Sequence, residues 1–290
     1  MAPPAEQHQG VGEVRGVIVP PVTIKDRQHA ENFPVALRVL PRRHREHLEA
    51  VYGFARTVDD LGDESLGDRL ANLDAFATDL NLIWAGRRPS TPVLVRLAGT
   101  VRDCQLPAEP FLRLVEANRQ DQRVKSYRTF DDLRAYCTLS ADPVGRIVLD
   151  VFSVTTQARV AWSDAICTAL QLVEHWQDVA EDRRNGRVYL PAEDLARFGV
   201  TPADLDKSST PDAVRKLLAF ETDRAESLLR EGAPLVKSLR GWARLSVGGF
   251  LAGGLATVDA LRRCDYDVLA RTPKPSKRDV LRHLIAEVAR

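Results

Sequence analysis

From Glu31 onward, apolar residues recur mainly at intervals of three and four, the signature of helices with one buried face. Leu48, Val51, Tyr52, Ala55 and Val58 form one stripe, and Leu70, Leu73, Phe76, Ala77 and Leu80 form another. Phe111, Leu112 and Val115, then Val144, Ile147, Val148, Val151 and Phe152, continue the habit. Turn signals rich in Gly and Pro fall between the stripes, at 86–92, 105–107, 141–143, 199–202, 208–211 and 272–276. Alternating β-branched runs are nearly absent, and no fixed-period repeat or composition break divides the chain. The pattern predicts about ten helices around one core, an all-α single domain over 22–290. Residues 1–21, with Pro3, Pro4 and Gly10 among polar neighbours, are expected to form a disordered arm. Gly248, Gly249, Gly253 and Gly254 lie between apolar residues and predict close helix contacts or a kink. No strand precedes them, which excludes a dinucleotide-binding βαβ unit.

Two interruptions of this apolar pattern share one grammar: Asp59-Asp60-Leu61-Gly62-Asp63 and Asp178-Val179-Ala180-Glu181-Asp182. Each sets carboxylates four residues apart, hence on one helix face, where like charges cost a few tenths of a kcal/mol per pair. A shared counter-ion explains why a chain would do this twice. Mg²⁺ suits the role, because it prefers oxygen, keeps several waters and bridges carboxylates to substrate phosphates. Tyr52, Arg56, Asp59 and Asp63 lie on one stripe of the first helix; Asp60 lies about 100° away, placed for a second ion or for Arg56. The second helix carries Gln171, Glu174, His175, Asp178 and Asp182 as a polar stripe between the apolar Leu170, Leu172, Val173, Trp176 and Val179. Buried carboxylates without partners are costly, so such a stripe calls for ions. A polar loop, Asp182 to Leu190, follows directly with Arg183, Arg184, Arg187 and Tyr189. Arginine's planar, permanently charged fork suits phosphate, and Arg119 and Lys125 are further candidates. His175 reads as a partner of a neighbouring carboxylate, and His44 and His47, among Arg42, Arg43 and Arg45, read as surface residues.

Composition narrows the rest. The 290 residues are 44% hydrophobic and 28% charged, ordinary globular usage. Forty-one Lys+Arg against forty Asp+Glu leave a formal charge of +1, so no global field points to nucleic acid. Cys104, Cys137, Cys167 and Cys264 are scattered without a CxxC, which argues against zinc and a disulfide framework and for a reducing cytoplasm. No apolar run approaches the roughly 20 residues of a membrane span, and the start lacks a signal peptide's order. The basic, weakly amphipathic stretch 274–290 leaves a peripheral membrane contact open.

These residues resemble the squalene/phytoene synthase family from about Glu31 to Arg278. The resemblance is carried by Tyr52-Gly-Phe-Ala-Arg56-Thr-Val-Asp59-Asp60, Tyr127…Asp132-Leu133…Tyr136-Cys137, Val144-Gly145 and Gln171-Leu172…Asp178…Glu181-Asp182…Gly186-Arg187…Tyr189-Leu190-Pro191. Glu31-Asn32-Phe33-Pro34, Asn118-Arg119-Gln120-Asp121, Ser140-Ala141-Asp142-Pro143-Val144-Gly145-Arg146, His175-Trp176-Gln177-Asp178-Val179 and Tyr266-Asp267-Val268-Leu269 resemble one branch more closely, the bacterial hydroxysqualene synthases of hopanoid-linked squalene biosynthesis. The family usually has Asn where this chain has Glu174 and, in condensing members, Arg where it has Gln177. The favoured branch shares Gln177.

The resemblance implies an isoprenoid synthase helical bundle with a central active-site cavity, and an Mg²⁺-dependent diphosphate lyase. Asp59, Asp60, Asp63, Glu174, Asp178 and Asp182 would hold the ions. Tyr52, Arg56, Arg183, Arg187 and Tyr189 would grip the diphosphate. Tyr136, with Tyr127, Val144 and Gly145, would line the carbocation pocket. The implied reaction ionises presqualene diphosphate and captures water, giving hydroxysqualene and diphosphate. Two alternatives stay open: a condensing synthase making presqualene diphosphate, dehydrosqualene or phytoene, and a non-catalytic partner that binds isoprenoid diphosphates or a neighbouring squalene-pathway enzyme.

Overall fold

In the computed structural model, residues 40–289 are described; the expected arm over 1–21 and the stretch 31–34 lie outside them. Among the described residues there are thirteen α-helices, one 3₁₀ helix (Pro202–Asp206) and no strands. Helices α1 (Arg42–Asp63), α2 (Arg69–Asn81), α3 (Pro92–Cys104) and α4 (Glu109–Arg123) come first. Then follow α5 (Phe130–Ser140), α6 (Asp142–Val151), α7 (Gln157–Gln177) and α8 (Val179–Arg184). The chain finishes with α9 (Ala192–Arg197), α10 (Asp212–Gly232), α11 (Pro234–Ser238), α12 (Gly241–Arg263) and α13 (Lys277–Ala289).

The apolar stripes fall into two packed groups. Val51, Phe54, Val58 and Leu61 of α1 bury against Leu73, Phe76 and Leu80 of α2, Leu94 and Leu97 of α3, and Phe111 of α4. Trp176 of α7 lies in the second group with Leu217 and Leu229 of α10 and Leu251 and Leu255 of α12. α7 packs most extensively along α10, and α12 along α13. The glycines of α12 do mark close contacts: a Cβ on Gly254 would stand 2.9 Å from Leu170, and one on Gly248 2.9 Å from Val288. All four cysteines are free, and no described helix is long and apolar enough to cross a membrane.

Two expectations need correction. His47 is buried, 8% exposed, with Nδ1 3.1 Å from the Thr100 hydroxyl. His44 packs its ring on Phe152 at 4.9 Å. The α1 arginines suggested a solvated face, but α3 and the end of α6 cover it. The second acidic helix is also not continuous. It breaks at Asp178 (φ −104°, ψ 17°), separating α7 from α8, while Asp178 N–H still donates to Glu174 O and Asp182 N–H to Asp178 O. The basic segment after it begins inside α8 and becomes extended only beyond Gly186.

Candidate active site

The two acidic clusters meet through the chain that follows α8. Gly186 takes a left-handed conformation (φ +73°). Its N–H donates to Arg183 O, and Arg187 N–H donates to Asp182 O across 2.8 Å, a Schellman closure that glycine permits and that turns the chain back. Val188 N–H then donates to Lys125 O, Ala192 N–H to Tyr127 O and Glu193 N–H to Arg128 O. The segment after the turn is therefore laid along the α4–α5 connection. This places Arg187, whose Nη2 donates to Asp63 Oδ1 at 2.7 Å.

On α1, Arg56 pairs with Asp60 at 3.1 Å and approaches Glu64 at 3.7 Å. Asp59 accepts from Asn118 Nδ2 at 3.2 Å. Asn118 reaches it by crossing Gly62, where any Cβ would stand 2.3 Å from Asn118 Oδ1; a larger residue there would push α4 away. Asp59 is reachable by solvent yet largely surrounded by protein. Burial pushes its pKa up to about 7, with Asp63 and Glu174 adding to the rise and Asn118 and Arg56 opposing it. The influence of Glu174 on Asp59 sets the α1 and α7 carboxylates in one electrostatic neighbourhood. Asp178 is likewise pushed up to about 6, by burial first and then by Asp182 and Glu181.

Beneath the carboxylates lies a buried polar layer. Asp121 accepts from the Tyr136 hydroxyl at 2.6 Å and from the Tyr189 hydroxyl at 3.3 Å. Burial raises its pKa, and the Tyr136 hydrogen bond counters this. The His175 ring stacks on Tyr189 at 3.6 Å, its Nδ1 lies 3.8 Å from Asp182, and its Nε2 meets the Gln171 amide at 3.2 Å. The expected carboxylate partnership of His175 is thus present at ion-pair distance. Tyr127 stacks on Tyr189 at 5.9 Å and lies 5.4 Å from Tyr136.

A cavity of about 170 Å³ opens beside this layer. Val144, Gly145 and Val148 of α6, Ile166 and Leu170 of α7, and Phe250 of α12 give it apolar walls. Gln171 and Glu174 also line it, so the polar stripe of α7 leads from the cavity to the aspartates. Such a chamber can hold a hydrocarbon chain while its charged end meets the acidic and basic groups.

Many candidate residues share one neighbourhood: Asp63 with Arg187, Arg56 with Asp60, Tyr136 and Tyr189 on Asp121, and Glu174 close enough to act on Asp59. Asp182 lies beside His175. Asp178 is influenced by burial first and then by Asp182, Glu181, His175 and Lys274, none of them on α1. Tyr52 is half-buried one turn before Arg56. Arg183 is instead held by a two-point pair to Asp206, at 2.7 and 2.9 Å. Arg119 serves Asp74 at 2.5 Å and Glu116 at 3.2 Å, whereas Lys125 stays near the site and donates to Asp121 O. Gln177 donates to Pro273 O. Asn118 and Asp121 entered the sequence reading only as part of a resemblance, yet they touch Asp59, Tyr136 and Tyr189. The available signal was their spacing with Leu114 and Gln122, which sets polar groups on the buried side of α4.

Comparisons with known proteins establish the family. The family model for squalene/phytoene synthase matches residues 26–279. The chain belongs to that family. A hydroxysqualene synthase of Rhodopseudomonas palustris is 36% identical over 72% of this chain and 72% of its own length. A phytoene synthase of Mycobacterium tuberculosis is 34% identical over 73% and 71% respectively. The crystal structure of squalene synthase HpnC from Alicyclobacillus acidocaldarius shares 46% identity at a TM-score of 0.77, over 83% of this chain and 91% of that one. A dehydrosqualene synthase in complex with ligand shares 25% identity at a TM-score of 0.81, over 91% and 92%. As a squalene/phytoene synthase family member, the chain is an isoprenoid-synthase-fold enzyme, and its family acts on isoprenoid diphosphates.

Whether divalent ions suit the donor set can be judged from the site itself. Among the described residues, no three carboxylate, imidazole or thiolate groups gather closely enough to hold one ion unaided. The donors are nevertheless hard oxygens, and burial raises Asp59 and Asp178, with neighbouring carboxylates adding to the rise. Mg²⁺ ordinarily takes one or two carboxylates, several waters and substrate phosphates, with no full protein cage. The residues fit that mode.

Proposed function

We propose that this enzyme is a hydroxysqualene synthase, ionising presqualene diphosphate and capturing water to give hydroxysqualene and diphosphate. The observation that carries the reading is the Arg187–Asp63 bond. It ties the first acidic cluster to the segment that follows the second. Glu174, which lines the apolar cavity and acts on Asp59, connects that polar neighbourhood to the cavity; a charged head and a hydrocarbon body need such opposite surroundings. Gln177 and the two hydroxysqualene synthases at 36% identity favour this branch.

In this reading Asp59, Asp63, Asp178 and Asp182, with Asp60 and Glu174, hold Mg²⁺. Bound Mg²⁺ neutralises charge developing on the leaving diphosphate. Arg56, Arg187 and Tyr189 orient that diphosphate, and Arg187 keeps its charge throughout. Arg183 joins them only by leaving Asp206. Val144, Val148, Ile166, Leu170 and Phe250 surround the carbocation with groups that cannot add to it. Tyr136 and Tyr189, fixed on Asp121, hold the aromatic layer between charge and cavity.

Incubation of the purified protein with presqualene diphosphate tests the proposal. Hydroxysqualene and free diphosphate are expected with Mg²⁺ and neither with a chelator; turnover that survives chelation refutes the metal assignment. The phytoene synthases at 34% identity support a second reading, head-to-head condensation. A C30 or C40 condensation product formed from farnesyl or geranylgeranyl diphosphate alone would favour it.

A further inference from the structure

The C-terminal helix α13 presents a surface that neither the fold nor the reaction uses. Its outward stripe is Arg278, Leu281, Arg282, Ile285 and Ala289, which fall within about 100° of one another around the helix. Leu281 is 56% exposed and Ile285 59%, two of only five large hydrophobics among the described residues that stand in solvent. A third, Trp242, is 43% exposed at the start of α12. It lies near the C-terminal end of α13, where Arg244 donates to Val288 O at 2.7 Å.

The charges around this stripe are sorted by sign. Lys274, Lys277, Arg278 and Arg282 are exposed. The acidic residues of α13 are engaged by arginines: Asp279 accepts from Arg263 at 2.7 Å and lies 3.6 Å from Arg282, and the buried Glu287 lies 3.5 Å from Arg230. Arg282 is paired with Asp259 of α12 at 2.6 Å, so the basic border of the apolar face rests on Lys274, Lys277 and Arg278.

We propose that this face of α13, with Trp242, docks the enzyme on an anionic lipid surface. Apolar side chains that insert shallowly and cations that meet lipid phosphates are the two signals that together give stable peripheral binding, and tryptophan favours the bilayer interface. The position also matters. Pro273 O, just before α13, accepts from Gln177, and the Lys274 charge acts on Asp178. The docking face thus begins beside the second aspartate cluster, which turns the site toward the lipid phase where a hydrocarbon diphosphate resides. The proposal stands on the surface alone and does not depend on which reaction the enzyme performs.

Cosedimentation of the full chain with vesicles tests it without turnover. Phosphatidylcholine vesicles containing about one quarter phosphatidylglycerol should pellet the protein, whereas phosphatidylcholine alone should not, and about 0.5 M salt should release it. Leu281→Glu with Ile285→Glu should lower the bound fraction at least tenfold at an unchanged circular dichroism spectrum. Lys277→Glu with Arg278→Glu should do the same by removing charge alone. Wild-type protein that stays in the supernatant with anionic vesicles, or the first variant binding as well as wild type, overturns the proposal. So does a dimer in gel filtration that the first variant splits while wild-type protein ignores vesicles, because the face would then join two copies of the chain.

Discussion

Arg187 Nη2 donates to Asp63 Oδ1 across 2.7 Å, although 124 residues separate the two in sequence. The guanidinium is 13% exposed and the carboxylate 49%. A half-exposed ion pair of this kind stabilises a fold by no more than about 1 kcal/mol. Its removal should therefore barely move the unfolding midpoint. The Arg187→Met variant is expected to lose about 10²-fold in kcat, the order seen when one preorganised donor to developing charge is lost. Arg187→Lys should recover only part of this, because lysine lacks the fork. Comparing urea unfolding with diphosphate release separates the two effects. A large loss of stability with intact kcat would make Arg187 a structural residue.

Asp59 should show the opposite signs for stability and activity. Its pKa rises on folding to about 7 from an ordinary value near 3.8. The folded protein therefore holds this proton more tightly, and the associated stability is lost as pH rises from about 4 through 7. Asp59→Asn removes that loss, and the amide oxygen still accepts from Asn118. Because Asp59 is solvent-exposed, solvent screening keeps the effect small: the variant should melt slightly above wild type at pH 8 in chelator and at nearly the same temperature at pH 4. Diphosphate release should fall by at least about 10²-fold, the rate equivalent of several kcal/mol. A variant that is both active and unchanged in melting would remove Asp59 from the site.

Gly145 tests how tightly the cavity wall is built. A Cβ there would stand 2.3 Å from Ser163 Oγ and 2.6 Å from Cys167 Sγ. Overpacking of this kind costs about 1–3 kcal/mol, so Gly145→Ala should lower the urea midpoint clearly. Ser163→Ala removes the nearer oxygen and should restore part of the loss in the double variant. The two substitutions are then non-additive, as expected of residues in contact. Strict additivity would show that α6 and α7 are not in close contact at this point.

The helical class and the carboxylate spacing within each acidic cluster were legible because both depend on local spacing. The Val51–Val58 stripe and the Asp59/Asp63 pair read directly as helix faces, and Arg56 was one of the two partners left open for Asp60. Long-range partners were not legible. Nothing near Arg183 in sequence announces Asp206, and nothing near Arg119 announces Asp74, so both arginines looked available for phosphate. Asp121 was hidden for another reason: its value comes from two tyrosine hydroxyls contributed by different segments. The break at Asp178 also escaped detection, since no Gly or Pro marks it and backbone hydrogen bonds bridge it on both sides.

Glu221 carries the clearest pH-dependent stability away from the site. It is fully buried on α10, and Arg224 lies 3.3 Å from it and 3.0 Å from the buried Asp194. One guanidinium cannot neutralise two buried carboxylates, and a single proton shared between the acids relieves the conflict. Burial accordingly pushes Glu221 up to about 8 from an ordinary 4.5, against the opposing charge of Arg224. A raised folded pKa means the contribution is complete below about 4.5 and is lost as pH climbs to about 8, by an amount on the order of a few kcal/mol. Glu221→Gln keeps a donor for Asp194 and carries no proton to lose. Urea unfolding at pH 5 and pH 8.5 should show wild type losing more stability across that interval than the variant, with the variant the more stable at the higher pH. Parallel profiles would mean that Glu221 titrates alike in both states and that Arg224 balances the pair unaided.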